Sequence, residues 1–316
     1  MQKKRVVIIG AGPAGLTAAI YTARAQFTPM VITGNLLGGQ VSQTYEMENY
    51  PGFPEPLTGA ELVDRFRAQA ERFGAEIAYD SVAEVDFRNG SPFLVKTTNE
   101  TYSADTVIVA VGASPRKLNV PGEAEYTGRG VSYCATCDGA FFRGKEVLVV
   151  GGGDSALEEA LFLTRFVKSL NIVHRRDQLR AGMALQARAE KNAQIGYIWD
   201  TVVDEIRGGE NDIVKVALLR NVKTGAVTER PTEGVFIFIG HVPNSELFRG
   251  QLTTNEKGYL ITDVRYQTNV AGVFAAGEIQ DEIWRQVATS VGQGAAAGIS
   301  AIHWLEEHGD TLQKLD

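Results

Sequence analysis

The chain has 316 residues, 44% of them hydrophobic and 22% charged, with a formal net charge of −7. That length suits roughly two domains, each with its own core, and the composition is ordinary for a soluble globular protein. The acidic balance argues against nucleic-acid binding, which favours a basic patch or stripe, and two cysteines are too few for a disulfide-built scaffold, so the expected compartment is the reducing cytoplasm.

The first run, MQKKRVVIIGAGPAGLTAAIY, has the basic start and apolar stretch of a signal peptide, but Gly10, Gly12, Pro13 and Gly15 interrupt it. No other segment reaches the ~18 uninterrupted apolar residues of a membrane helix. From Lys4, KRVVIIGAGPAGLTAAIYTARA reads instead as a β-branched strand, a glycine turn and a helix. The same order returns from Lys145 as KEVLVVGGGDSALEEALFLTRF, an offset of 145 − 4 = 141 residues. It carries Gly10 onto Gly151, Gly12 onto Gly153 and Gly15 onto Ala156. In the second copy Ala156, Leu157, Ala160, Leu161 and Thr164 recur at helical spacing.

Strand, G-x-G-x-x-G/A and helix form the dinucleotide-binding fingerprint. The first glycine allows a tight turn and the second lets the backbone approach a pyrophosphate. The third position, glycine or alanine, lets helix and strand pack closely. One match arises readily by chance; two, each between a strand and a helix, point to two nucleotide sites and an α/β fold of two Rossmann-like three-layer domains.

The segments after each copy differ. The first leads into PMVITGNLLGGQ, where Gly38, Gly39 and Gln40 make a second glycine-rich turn, with neither an acid nor an arginine cluster at the strand end. Further on, ADTVIVAVGASPRKL runs into Gly112, and TNVAGVFAAGEIQD into Gly277 and Glu278. A long flavin cofactor such as FAD can use several close backbone approaches of this kind. Between the two copies lies SYCATCDGAFF, which holds both cysteines, Cys134 and Cys137, followed by Asp138. Metal ligation, a structural disulfide and redox catalysis are the three readings of such a pair. After the second copy comes LNIVHRRDQLRA. The acid that binds an adenosine ribose usually lies ~20 residues past the glycines; here, 175 − 151 = 24 residues on, stands Arg175, flanked by His174 and Arg176, with Arg180 following. Guanidinium groups pair bidentately with phosphate, so the cluster points to a 2′-phosphate, and to NADP(H) over NAD(H).

At this point the chain resembles the low-molecular-weight, bacterial-type NADPH-dependent thioredoxin reductases. The resemblance runs nearly end to end, through GAGPAGLTAAIYTARA, ENYPGFPEPLTGAEL, CATCDGAFF, GGGDSALEEA, HRRDQLRA, FIFIGHVPN and GVFAAGEIQDEIWRQVATSVGQGAAAG. It implies two FAD/NAD(P)-binding domains, the second inserted into the first: an FAD domain of residues 1–116 and 246–316, and an NADPH domain of 117–245 that carries the CxxC. By the resemblance, FAD meets Gly10, Gly12, Pro13, Ala14 and Gly15 at its pyrophosphate, with Gly39, Gln40, Asn49 and Gly112 nearby. Gly277, Glu278, Arg285, Gln286, Val287 and Ala288 close over the ribityl chain and flavin. NADPH takes Gly151, Gly153, Asp154, Ser155 and Ala156, with His174, Arg175, Arg176 and Arg180 around its 2′-phosphate.

Two positions depart from the family pattern. Glu278 replaces the usual aspartate, so its extra methylene must be accommodated against a ribityl hydroxyl, and Trp284 stands where tyrosine is expected before Arg285 and Gln286.

Closed zinc sites need four ligands and usually show two such pairs, and a disulfide across so short a loop constrains little of the unfolded chain. A cycling dithiol suits a flavin enzyme with a nicotinamide site. Asp138 is the candidate acid/base for the thiols, a role compatible with a turn or helix-cap role. The resemblance further implies that Cys137 faces the flavin and that Cys134 attacks oxidised thioredoxin. It also implies that the NADPH domain rotates between a flavin-reducing and a flavin-oxidising state, and that the protein is a homodimer. The rival readings are a ferredoxin-type donor, another protein disulfide as acceptor, and a non-catalytic redox sensor.

Overall fold

A computed structural model describes residues 1–44, 47, 49–209 and 212–312. Its contacts divide the chain into two units, Met1–Ser114 with Val242–Asp316, and Pro115–His241.

In the first unit the strand Gln2–Ile9 lies inside a largely parallel sheet, between Met30–Ile32 and Thr101–Val109. Glu76–Ala78 extends the sheet beyond Met30–Ile32, and Val273–Ala275 pairs in parallel with Thr101–Val109. A hairpin, Val82–Asp86 with Phe93–Thr97, adds an antiparallel edge. Val6 to Ile9 and Val107 to Val109 are all buried. A continuous apolar run of this kind, without alternation, belongs to a sheet covered on both faces. The helix Pro13–Arg24 begins directly after Gly12, with Pro13 in its first turn, where a missing N–H is tolerated. It packs backbone to backbone against the C-terminal helix Val287–Leu312: a Cβ on Gly294 would lie 2.2 Å from the Ala14 carbonyl oxygen. Thr58 and Glu61 form a reciprocal capping box at the start of the helix Gly59–Arg72.

The second unit has a five-stranded parallel sheet in the order Ile195–Ile198, Ser169–Val173, Glu146–Gly151, Gly234–Phe238 and Val131–Ser132. Alternate residues of the central strand serve opposite faces, as the period of two dictates. Val147 and Val149 join Ala156, Leu157, Ala160 and Leu163 of the helix Asp154–Leu163 in one core. Leu148 and Val150 join Val203, Ile206, Ala217 and Leu219 in another. Those last four residues come from an antiparallel sheet of Thr201–Gly208, Val214–Asn221 and Val227–Pro231, which the sequence pattern had not disclosed. Helix, sheet and sheet make three layers. Among the described residues no helix is long and apolar enough to cross a membrane.

Candidate active site

The two glycine turns are built alike. Gly10 has φ +108°, and a Cβ there would lie 2.3 Å from the Ala110 carbonyl oxygen; one on Gly15 would lie 1.9 Å from the oxygen of Gly10. Both positions therefore exclude a side chain by packing. Gly12 between them meets nothing closer than 3.9 Å, and it caps the helix without any side-chain hydrogen bond. The second turn repeats this: Gly151 is closed in by the Phe238 oxygen at 2.5 Å and by the buried Ala156, while Gly153 faces open space and caps its helix without a side chain. In each turn the tight positions fix strand against helix, and the open glycine leaves free helix-end amides for an anion.

In the first unit the other cofactor candidates gather at the carboxyl ends of the parallel strands, where open α/β sheets bind ligands. Gly38 N donates to the Ala11 oxygen at 2.9 Å, which brings the 38–40 turn to the first fingerprint. A Cβ on Gly277 would lie 2.9 Å from the Ala14 side chain, which brings in the segment after Val273–Ala275. Gln40 Nε2 donates to the Ala113 oxygen, just past Gly112, and to Glu278 Oε2 at 3.2 Å. Asn49 Nδ2 donates to Gln286 Oε1 at 3.3 Å. Arg285 adopts φ +48°, and Val287 and Ala288 open the C-terminal helix. Two residues the sequence reading missed hold this segment. Asp281, 6% exposed, accepts from Ile283 N and Trp284 N at 2.9 Å and from Gln293 Nε2 at 2.9 Å. Gln293 in turn accepts from Gly277 N at 2.9 Å. Trp284 is left exposed.

Burial pushes the Glu278 carboxyl up to about 7 from an ordinary 4.5, with the Arg285 charge acting the other way and Asp281 adding to the rise. Between those two values the folded chain holds a proton that the unfolded chain releases, so stability falls as pH rises through that window. In the FAD-free protein, the melting temperature of Glu278→Gln relative to wild type is therefore expected to climb from pH 5 to pH 8. A constant difference across that range would show that Glu278 does not titrate there.

In the second unit the strand Ser169–Val173 lies beside Glu146–Gly151 and delivers residues 174–180 to the second glycine turn. Arg175, Arg176 and Arg180 are exposed, and among the described residues their guanidinium groups make no hydrogen bond or ion pair. The nearby carboxylates of Asp177 and Asp200 are already paired with Lys223, at 3.1 and 2.9 Å. His174 is placed differently. It is 5% exposed, and a Cβ on Gly152 would lie 2.3 Å from its Nδ1. Its Nε2 is buried without a partner among the described residues. Burial first, and then Arg180 and Arg175, hold its pKa down, with backbone hydrogen bonds opposing. His174 stands beside the cationic arginines in the sequence, whereas in the fold its ring is packed under the turn. Ser155 is exposed in the first helical turn.

The cysteines follow the edge strand Val131–Ser132 and are joined as a disulfide, with Cα atoms 5.3 Å apart. Cys134 caps the short helix Ala135–Asp138, and its Sγ accepts from Cys137 N at 3.2 Å. Ser132, 3% exposed and absent from the sequence-based candidates, ties the group together. Its Oγ accepts from Cys134 N at 3.1 Å and donates to Asp138 Oδ2 at 2.6 Å. Glu159 Oε2 accepts from Ala135 N at 3.2 Å. Burial raises the Asp138 pKa, and the Ser132 hydrogen bond partly offsets that rise. Among the described residues no cluster of three or more His, Cys, Asp or Glu is placed to hold a metal.

Two glycine-turn nucleotide folds in one chain, one of them carrying a disulfide beside a partly buried carboxyl, define a nucleotide-dependent disulfide oxidoreductase. Residues 4–294 match the family model of the pyridine nucleotide-disulphide oxidoreductases. The thioredoxin reductase of Bacillus subtilis (strain 168) is 48% identical over 311 residues, 98% of this chain and 97% of that one. The bifunctional thioredoxin reductase/thioredoxin of Mycobacterium leprae is 48% identical over 304 residues, 96% of this chain and 66% of its own length. The crystal structure of thioredoxin reductase from Streptococcus pyogenes MGAS5005 superposes with a TM-score of 0.91 at 46% identity, covering 96% of this chain and 99% of that one. The chain belongs to the pyridine nucleotide-disulphide oxidoreductase family, and within it to the thioredoxin reductases.

Proposed function

We infer that the chain passes electrons from NADPH to the disulfide of a thioredoxin, with FAD as the relay and Cys134 and Cys137 as the final donor. The observation that carries this reading is the Cys134–Cys137 disulfide, hydrogen-bonded through Ser132 to Asp138 in the unit that also holds the arginine-flanked glycine turn. FAD fits the first unit: the open face at Gly12 and the free amides of Pro13–Arg24 suit its pyrophosphate, and Gly39, Gln40, Asn49, Gly112, Gly277, Glu278 and 285–288 line the adjoining strand ends. NADPH fits the second, with its pyrophosphate at Gly153, Ser155 and Ala156 and its 2′-phosphate at Arg175, Arg176 and Arg180. Bound there, FAD supplies a two-electron relay between the nicotinamide and the protein disulfide.

Cys134 and Cys137 take up two electrons and two protons as their S–S bond breaks. The Cys134 thiolate then attacks one sulfur of the substrate disulfide, forms a mixed disulfide and expels the partner's other sulfur as thiolate. Cys137 resolves the mixed disulfide, and the internal bond re-forms as the second substrate thiol leaves. The Cys137 N–H aimed at Cys134 Sγ favours the thiolate there, which supports Cys134 as the attacking thiol. Asp138 is the acid that protonates leaving thiolates. Burial keeps its proton to higher pH than usual, and Ser132 fixes its direction. The Mycobacterium leprae relative, with reductase and thioredoxin named in one chain, favours thioredoxin as acceptor. Cytoplasmic location and homodimeric assembly belong to the same reading.

The test is anaerobic. Mixing the FAD-loaded protein with NADPH is expected to bleach the flavin and release about two thiols per chain. A bound flavin that NADPH leaves oxidised would refute the donor assignment and favour a ferredoxin-type donor. Ser132→Ala, which removes the donor to Asp138, is expected to raise that carboxyl's pKa further. Activity that needs protonated Asp138 would then persist to higher pH, and Ser132→Thr would restore the wild-type profile. An unmoved profile in Ser132→Ala would separate Ser132 from the acid.

A further inference from the structure

Asp154 occupies the first turn of the helix after the second glycine turn, well placed for that helix's own amides and badly placed beside a pyrophosphate bound to them. Its carboxylate is engaged elsewhere. Oδ1 accepts from Gly182 N at 2.7 Å, across 28 residues. The two preceding amides are fixed as well, since Arg180 N and Ala181 N both donate to the Gly152 oxygen, at 2.7 and 3.2 Å. Three successive amides of the 180–182 loop are thus tied to the glycine turn. Ala181 between the outer two is 5% exposed, so the loop is packed as well as bonded. Arg180 rides on this loop, exposed and without an ion pair among the described residues.

We propose that Asp154 is a positioning residue for nucleotide choice: by holding Gly182 N it keeps Arg180 over the glycine turn, where the guanidinium meets the 2′-phosphate. Selectivity for the phosphorylated nucleotide then depends on a carboxylate that touches no phosphate. This rests on the NADPH reading given above. It differs from that reading in what it assigns to Asp154, because a direct ligand and a loop tether respond differently to substitution.

Removing Asp154 has two opposing consequences. Loss of its charge relieves repulsion of any nucleotide pyrophosphate, whereas loss of the tether frees Arg180 and harms only nucleotides that carry a 2′-phosphate. Asp154→Asn removes the charge and keeps an oxygen that accepts from Gly182 N; Asp154→Ala removes both. The measurement is calorimetric binding of NADP⁺ and NAD⁺ to the oxidised FAD holoenzyme, with an Arg180→Met background for comparison. Asp154→Ala is expected to weaken NADP⁺ about tenfold, as loss of a charge-assisted hydrogen bond would. NAD⁺ should then change by about twofold or less, with Asp154→Asn close to wild type for NADP⁺. In the Arg180→Met background, Asp154→Ala should cost little more, because the two residues act as one unit. Equal shifts for both nucleotides in both Asp154 variants, or full additivity with Arg180→Met, would overturn the proposal. If wild type binds NADP⁺ no tighter than NAD⁺, the donor reading falls. If wild type discriminates and Asp154→Ala discriminates equally, only the tether falls.

Discussion

Cys134→Ser is expected to lower NADPH-dependent reduction of thioredoxin by about 10⁴-fold or more, the scale on which enzymes lose rate when the attacking group itself is removed. Cys137→Ser should do the same, because a single thiol can open a substrate disulfide but cannot release it. Neither change touches the glycine turns, so FAD should remain bound and NADPH should still bleach it. Reductive titration separates the cases: wild type should take up about four electrons per chain, two in the flavin and two in the disulfide, and each variant about two. The variants also decide the order of the thiols. With Cys134 as nucleophile, Cys137→Ser should accumulate a mixed disulfide with thioredoxin that mass spectrometry detects, and Cys134→Ser should not. The Cys137 N–H donated to Cys134 Sγ gives the physical reason for that order. Accumulation in Cys134→Ser alone would reverse it. Full turnover in either variant would remove the dithiol from the mechanism altogether.

What could be read from the sequence is what short-range chemistry dictates. A strand running into G-x-G-x-x-G/A must turn sharply and pack a helix against itself, and both copies do so. Even the alanine at the third position of the second copy follows, since Ala156 fits, fully buried, against Gly151. The cysteine spacing confined the pair to one local turn, but the family resemblance was needed to favour a cycling dithiol over metal ligation or a structural disulfide. The long-range closures were not legible. Gln40 meets Glu278 across 238 residues, Asn49 meets Gln286 across 237, and Asp154 meets Gly182 across 28. No local pattern announces such partners. Ser132 escaped for another reason: a serine at a strand end has many ordinary uses, and only the fold back of Asp138 onto it reveals this one. The resemblance placed His174 with its arginine neighbours around the 2′-phosphate. Adjacent residues at a strand end point to opposite sides, so the ring went under the glycine turn while Arg175 went to solvent. A signal was available, since Gly152 leaves room for a ring only by lacking a side chain.

That division between buried ring and exposed guanidinium groups leads to the second large effect. Arg175→Ala combined with Arg180→Ala is expected to lower kcat/KM for NADPH by about 10²- to 10³-fold, two charge-assisted phosphate contacts at roughly 1.5–3 kcal/mol each with some loss of additivity. kcat/KM for NADH, which has no 2′-phosphate, should move by about threefold or less. The loss should lie in KM, because the 2′-phosphate is held equally before and during hydride transfer, and uniform binding leaves kcat alone. The nearby carboxylates of Asp177 and Asp200 do not compete for these arginines, because Lys223 already pairs with both. Raising ionic strength should increase the wild-type KM for NADPH, and the effect should shrink in the double variant, because exposed charges are screened within about 10 Å at 0.1 M salt. His174→Asn should behave differently again. Removal of the buried ring beneath Gly152 should weaken NADPH and NADH alike by loosening the turn they share, leaving the salt dependence unchanged. If His174→Asn instead reproduced the NADPH-selective loss of the arginine variant, the histidine would be a 2′-phosphate ligand despite its burial. If the arginine variant lost NADH as severely as NADPH, the cluster would serve the pyrophosphate instead, and the discrimination would have to come from elsewhere in the second unit.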